Sequence, residues 1–352
     1  MIIFRYLTRQ VLQASLALSL ILLVVAVLGR LLNYLARASQ GELDPSVLLM
    51  LMTYRLPDFL QLILPLALLL GILLAYGRMY ADSEMTVLVA CGLSTRRLLA
   101  MTAASTLLGM ALVASLTLYV TPRALVQTGN LLEAQKNLNE FDVMVPGLFQ
   151  NISGGLRTTY AERVTPQGMG HVFMHESGGD RMILAESAQP YEDADGRRFI
   201  LFRNGSLTQG LNGEGEYSLT RFEEFGIELP PRNINFAASV AEKAMSNGEL
   251  WRAGQPVHLA ELQWRFSLIL LVPVLMLLAV PLSRVSPREG RFGKLVPAIL
   301  LYLAYFGLLL LCRDLVADGT LSPWLGPWWV HAVFAVVGFR LCGGWRGVQG
   351  HA

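Results

Sequence analysis

The sequence predicts an α-helical membrane protein with six transmembrane helices and an all-β domain inserted between helices 3 and 4. Three observations predict it. Of 352 residues, 53% are hydrophobic and only 15% charged, against about 25% charged in an ordinary soluble domain. Six apolar stretches have the length and composition of membrane spans. Between the third and the fourth, from about Thr121 to Glu261, the chain turns polar and is punctuated by turn dipeptides.

The first span runs from about Val11 to Gly29 and is nearly all Leu, Val, Ile and Ala. At 1.5 Å per residue it can cross a hydrocarbon core of about 30 Å. The second lies within Leu56 to Tyr76 and contains Pro57 and Pro65; the third runs from about Leu98 to Val120. Spans four to six are expected near Phe266 to Leu282, Leu295 to Leu311 and Trp324 to Phe339. The sixth is the weakest, because Pro327 and His331 interrupt it. The first run is too long for the apolar core of a signal peptide, and Arg30 and Asn33 separate it from the small-residue site Ala36-Arg37-Ala38, so a retained anchor is expected. The expected division is 1–122 for the first three spans, 123–261 for the β domain with helical flanks, and 262–352 for the last three spans.

Orientation follows from Lys/Arg asymmetry in the short flanks. With a cytoplasmic N-terminus, the inner flanks hold Arg5, Arg9, Arg78, Arg96, Arg97, Arg284, Arg288, Arg291, Lys294, Arg340 and Arg346, and the outer flanks only Arg30, Arg37, Arg55 and Arg313. Eleven against four puts both termini in the cytoplasm and the inserted domain in the periplasm.

That domain reads as β because Gly178-Gly179, Asp195-Gly196, Asn204-Gly205 and Asn212-Gly213 are turn signals separating apolar or alternating stretches such as Met182–Ala185 and Phe199–Phe202. Phe225, Ile227 and Leu229 alternate with Gly226 and Glu228, as in a strand with one buried face. The segments near Leu131–Asn139 and Ala237–Met245 read as helical or irregular.

Several chemistries are excluded. The three cysteines, Cys91, Cys312 and Cys342, are scattered and form no CxxC, so neither a disulfide framework nor a zinc site is expected. There is no basic run to bind nucleic acid, and Lys occurs only at Lys136, Lys243 and Lys294. The only Gly-Lys pair, Gly293-Lys294, is followed by Leu295, whereas a P-loop needs Ser or Thr there. No GxSxG elbow occurs. His171 and His175, on a strand, would stand about 13 Å apart, too far for one ion. The remaining histidines have no evident partner, and no catalytic residue or metal ligand is expected.

Two sets of charges stand out. The loop after span two, Ala81 to Cys91, reads as a short helix with Asp82 and Glu84 in its first turn, favourable at the positive end of the helix dipole, and Gly92 as its stop. Such a helix, lying between two spans, suits a lever for a cytoplasmic motor; an exposed charge capping its own helix is the plainer alternative. Arg30 and Arg37 follow span one, and seven residues of helix place them two turns apart on one face. Anion binding through paired guanidinium hydrogen bonds competes there with simple snorkelling to the interface. Arg55 and Asp58 flank Pro57 and read as a structural pair.

Four stretches carry a resemblance. They are Met1-Ile2-Ile3-Phe4-Arg5-Tyr6-Leu7; Leu62-Ile63-Leu64-Pro65-Leu66 running on to Gly71; Ser83-Glu84-Met85-Thr86-Val87 followed by Ala90-Cys91-Gly92-Leu93-Ser94; and Val280-Pro281-Leu282-Ser283 followed by Pro287-Arg288 and Gly290-Arg291. In order and spacing they resemble the LptF/LptG family of lipopolysaccharide export permeases, with Cys91-Gly92-Leu93 and the N-terminus nearer the LptF branch. The resemblance implies an ABC exporter that extracts lipopolysaccharide from the outer leaflet of the inner membrane. Its partners would be an LptG-like permease, an LptB-like ATPase dimer that hydrolyses the ATP, and an LptC-like periplasmic bridge, with the inserted domain a β-jellyroll. It implies that Asp82, Glu84, Met85, Val87, Leu88 and Gly92 couple to the ATPase and that Arg30 and Arg37 contact lipopolysaccharide, while the chain itself holds no cofactor. A non-transporting mechanotransmission or scaffold protein is the rival reading. An intramembrane hydrolase would need paired catalytic residues inside the spans, and none is visible.

Overall fold

Long apolar runs rich in Leu bury no polar side chain on turning helical, and in a bilayer every backbone amide must find its partner within the segment. The computed structural model describes residues 2–39, 45–136, 146–152, 157–165, 167–176, 181–193, 197–210, 217–228, 241–284 and 294–343. The described helices include α1 (Ile2–Ser39), α2 (Leu48–Ala81), α3 (Glu84–Ala90), α4 (Thr95–Ser115), α5 (Thr121–Lys136), α6 (Asn247–Ala253), α7 (Pro256–Leu282), α8 (Leu295–Ala317) and α9 (Trp328–Gly343). Five segments are long and apolar enough to cross a membrane: Ile2–Ala36, Leu48–Ala81, Thr95–Leu132, Pro256–Leu282 and Leu295–Ala317. α9 is apolar but shorter, at 16 residues. Pro327 does not interrupt it. The proline precedes its first residue, the chain before it turns through Ser322–Gly326, and the carbonyl of Pro327 accepts the amide of Val330.

The chain divides into two compact units. The first comprises Met1–Val27, Tyr54–Gln127 and Ser239–Ala352. Its centre is α7, which packs on α4, α8 and α9 and buries residues all round, from Ala260 to Val280, as expected of a helix that is apolar on every face. Two buried polar pairs join helices inside this unit: Tyr76 Oη meets Thr102 Oγ1 at 2.7 Å between α2 and α4, and Tyr305 Oη meets His331 Nδ1 at 2.6 Å between α8 and α9. His331 therefore has a partner that the sequence did not reveal. Arg55 and Asp58 pair at 3.3 Å, and Asp58 also accepts from Gln61 at 3.0 Å. Between α4 and α5 the helix passes through a π-helical turn, Leu116–Val120.

The second unit comprises Leu28–Thr53 and Thr128–Ala238. Its sheet is a six-stranded antiparallel meander in the order β1 (Gln150–Ile152), β2 (Arg157–Thr165), β3 (Gly168–Glu176), β4 (Arg181–Glu192), β5 (Arg198–Gln209) and β6 (Ser218–Glu228). Phe225 is half-buried and Ile227 buried; Leu229 lies outside the described residues. Glu176 ties three strands. It accepts from Arg157 at 2.9 Å and pairs with Arg181; burial pushes its carboxyl up, but the two guanidiniums outweigh that and hold it below the usual range.

One turn signal is corrected. Asn204-Gly205 lies inside β5, paired across to β4 and β6, and makes no hairpin. The signal was physically sound but served another purpose: Asn204 has φ +51, the left-handed conformation that Asn tolerates. His171 in β3 has φ +49. Glu162, His171, Glu186, Asn204 and Glu223 form one row across β2 to β6, and at this row alone the cross-strand pairing between adjacent strands lapses while the register continues unchanged on both sides. Inward residues change phase there: Val172 and Met174 give way to Met169, Ile183 and Ala185 to Ala188, and Leu207 to Phe202 and Ile200. Each strand therefore carries a bulge-like irregularity at the same level, a crease that bends the strands while keeping one face toward the core. Gly205 sits beside it because a Cβ there would lie 2.3 Å from the Leu184 carbonyl and 2.6 Å from the Phe222 ring. The other three turn dipeptides fall outside the described residues.

Candidate functional site

The loop between the second and third spans does form a short helix, but its start differs from expectation. α2 ends at Ala81, Asp82 and Ser83 make a turn, and Glu84 is the first residue of α3. Asp82 is thus not in the first turn of α3; its carboxylate points back to Arg78 at 3.7 Å, four residues earlier on α2. Ser83 holds φ +60 and makes no side-chain cap. The helix stops as a glycine-terminated helix should: Cys91 donates to the Val87 carbonyl, Gly92 has φ +92, and its amide reaches the Val89 carbonyl. Ser94 then caps α4 by accepting from the Arg97 amide.

α3 is amphipathic with a clear division of labour. Met85 is fully buried in the helical core, so it anchors the helix and presents nothing outward. Val87 is 59% exposed and Leu88 half-buried. With Asp82, Ser83 and Glu84 they line a groove of about 460 Å³ whose other wall is Ile2, Ile3 and Tyr6 from the start of α1. Tyr6 Oη donates to Glu84 Oε2 at 2.9 Å. A carboxylate flanked by exposed aliphatic side chains can dock a cationic partner group while burying apolar surface around it.

Arg30 and Arg37 both lie in α1, which continues as a helix to Ser39. Arg30 is exposed; the side chain of Arg37 lies outside the described residues. Asn33 between them donates to the Gly29 carbonyl at 3.1 Å. Among the described residues no group of three or more His, Cys, Asp or Glu is placed to hold a metal ion.

Sequence reasoning missed a buried polar network at the head of α7. Arg265, only 2% exposed, donates from Nη1 to Asn247 Oδ1 at 2.6 Å and from Nη2 to the carbonyls of Lys243 and Met245, each at 3.0 Å. Its Nε faces Glu261 Oε1 at 3.4 Å, and Glu261 Oε2 accepts from Arg313 of α8 at 2.9 Å. Arg313 lies over the Trp264 ring at 5.4 Å. Asn247 also donates to the Leu118 carbonyl at 3.0 Å, in the π-helical turn, where the ladder is shifted by one residue. The network thus ties the third span, α7, α8 and the segment leading back from the β domain.

Comparison with known proteins bears on these features together. Residues 5–343 match the family "Lipopolysaccharide export system permease LptF/LptG". The chain is 29% identical over 347 residues to the lipopolysaccharide export system permease protein LptF of Escherichia coli strain K12, covering 97% of this chain and 94% of the relative. The LptF of Shigella flexneri matches to the same extent. A match over nearly the whole chain, spanning the apolar helices and the inserted sheet alike, places this protein in the LptF/LptG family of lipopolysaccharide export permeases.

Proposed function

We propose that this permease works as one of two paired transmembrane subunits of an exporter whose ATP is hydrolysed by separate LptB-like subunits docking on α3. The observation that carries this is the α3 groove: a short helix anchored by buried Met85, presenting Glu84 and Val87 outward between two membrane-spanning segments. A helix so held moves with α2 and α4, so a push on it reaches the spans. The apolar face of α1, with Leu16, Leu20, Ile21 and Val25 each at least 60% exposed, supports an interface with lipid acyl chains or with an LptG-like permease. Arg30 would meet lipopolysaccharide phosphates, with Arg37 as its second contact two turns on. The sheet of the second unit would hand the lipid to an LptC-like bridge. We place the boundaries of these parts at 122/123 and 261/262.

Transport separates this reading from a scaffold. In a reconstituted assembly with its ATPase, purified lipopolysaccharide should stimulate ATP hydrolysis, and labelled lipopolysaccharide should leave the vesicles only when ATP is supplied. Hydrolysis indifferent to lipopolysaccharide, with no ATP-dependent release, would favour the mechanotransmission reading.

The orientation we propose, both termini and α3 in the cytoplasm and the sheet in the periplasm, rests on the Lys/Arg asymmetry. A cysteine introduced at Gly213 should react with an impermeant thiol reagent added from the periplasmic side, and one at Ser94 should not. The reverse labelling would overturn the orientation.

A further inference from the structure

Glu84 opens α3, where a carboxylate ordinarily interacts with its own free amides or with the helix dipole. Its hydrogen-bonded partner here comes from elsewhere. The donor is Tyr6, 78 residues away, with Oη 2.9 Å from Glu84 Oε2. The stretches of α1 on either side of this contact differ in kind. Leu7 is fully buried in the helical core, as is Val11 one turn on, so the ring of Tyr6 rises from a fixed base. Ile2 and Ile3 stand at 87% and 42% exposure on the same wall of the groove.

We propose that Tyr6 is a positioning residue for Glu84, and that the first turn of α1 forms the second wall of the docking site for the partner ATPase. The inference rests on the reading of α3 as the docking helix. A phenol that donates to one carboxylate oxygen leaves Oε1 open to a cationic side chain. It also restricts a glutamate side chain that would otherwise lose its rotamer freedom only on docking, so part of the ordering is complete before the partner arrives. The apolar rim of Ile2, Ile3 and Val87 excludes water once covered, and a charge pair formed beneath it is stronger than one in bulk solvent.

Tyr6→Phe tests this in the assembled transporter, because it keeps the ring and removes only the donor. ATPase association is expected to weaken by about three- to tenfold, the range of one ordinary hydrogen bond lost in an exposed setting, with melting of the isolated permease unchanged. In a Glu84→Ala background, Tyr6→Phe should add nothing. Three results overturn the proposal. One is wild-type association for Tyr6→Phe while Glu84→Ala is impaired, which leaves the docking reading standing. A second is an equal loss from Tyr6→Phe with and without Glu84, which makes its action independent of the carboxylate. The third is wild-type association and release for Glu84→Ala itself, which removes the docking reading and the proposal together.

Discussion

Replacing Arg265 with alanine is expected to destabilise the permease more than any change at the surface charges. The guanidinium is 2% exposed and serves Asn247, two backbone carbonyls and Glu261. Without it, the carbonyls of Lys243 and Met245 lose the donor they share, and Glu261, 5% exposed, keeps Arg313 as its one described hydrogen-bonded partner. Breaking a buried ion pair by removing one partner costs on the order of 3–5 kcal/mol. For a chain of this size that corresponds to a fall in melting temperature of roughly 5 °C. Arg265→Lys should recover only part of the loss, because an ammonium cannot span acceptors that a planar fork reaches together. The measurement is thermal unfolding of the purified permease, with monodispersity after mild heating as a second readout. A melting temperature for the alanine variant within a degree or two of the wild type would sink the account of this network as a structural joint.

The same residue shows where sequence reasoning stops. Five apolar helices were legible because each is a long run dominated by Leu, Val, Ile and Ala, a signal that needs no knowledge of neighbours, and the shorter α9 gave a weaker form of it. Arg265 had no such signal. At the head of an apolar run it looks like any interfacial charge, and its partners lie up to 22 residues away, with Arg313 a further link 52 residues from Glu261. Tyr6 and Glu84 are a sharper case, since nothing local relates them. Local rules also gave the right chemistry in the wrong place. Asn204-Gly205 satisfies a demand for left-handed backbone, but the demand comes from the crease and not from a hairpin. The helix-dipole argument placed Asp82 and Glu84 together; the left-handed Ser83 turn separates them and returns Asp82 to Arg78. The resemblance sets Met85 among the coupling residues without saying which way it points; the packing of α3 turns it inward.

Glu84→Ala is expected to uncouple transport while leaving the permease folded. Within this chain Glu84 makes one described hydrogen bond, to Tyr6, in an exposed setting, and no side-chain cap supports the start of α3. If the carboxylate served only its own helix, its loss would cost about 1 kcal/mol or less, and insertion and function would both survive. If it pairs with a cationic side chain of the docked ATPase, its loss strands that charge in a covered groove, at roughly 2–5 kcal/mol. That is a thirtyfold or greater loss of association at the lower bound, since each 1.4 kcal/mol is about tenfold. Membrane insertion and melting should therefore match the wild type, while ATPase co-purification or ATP-driven release of lipopolysaccharide fails. Glu84→Gln should be milder, because its amide oxygen still accepts one hydrogen bond. Asp82→Ala is the control: its carboxylate is half-exposed and faces Arg78, so association should stay near wild type. Normal co-purification together with normal ATP-dependent release from the Glu84→Ala variant would remove α3 from the coupling path, and a loss from Asp82→Ala as large as that from Glu84→Ala would show that the general negative charge of the turn matters and not the aim of one side chain.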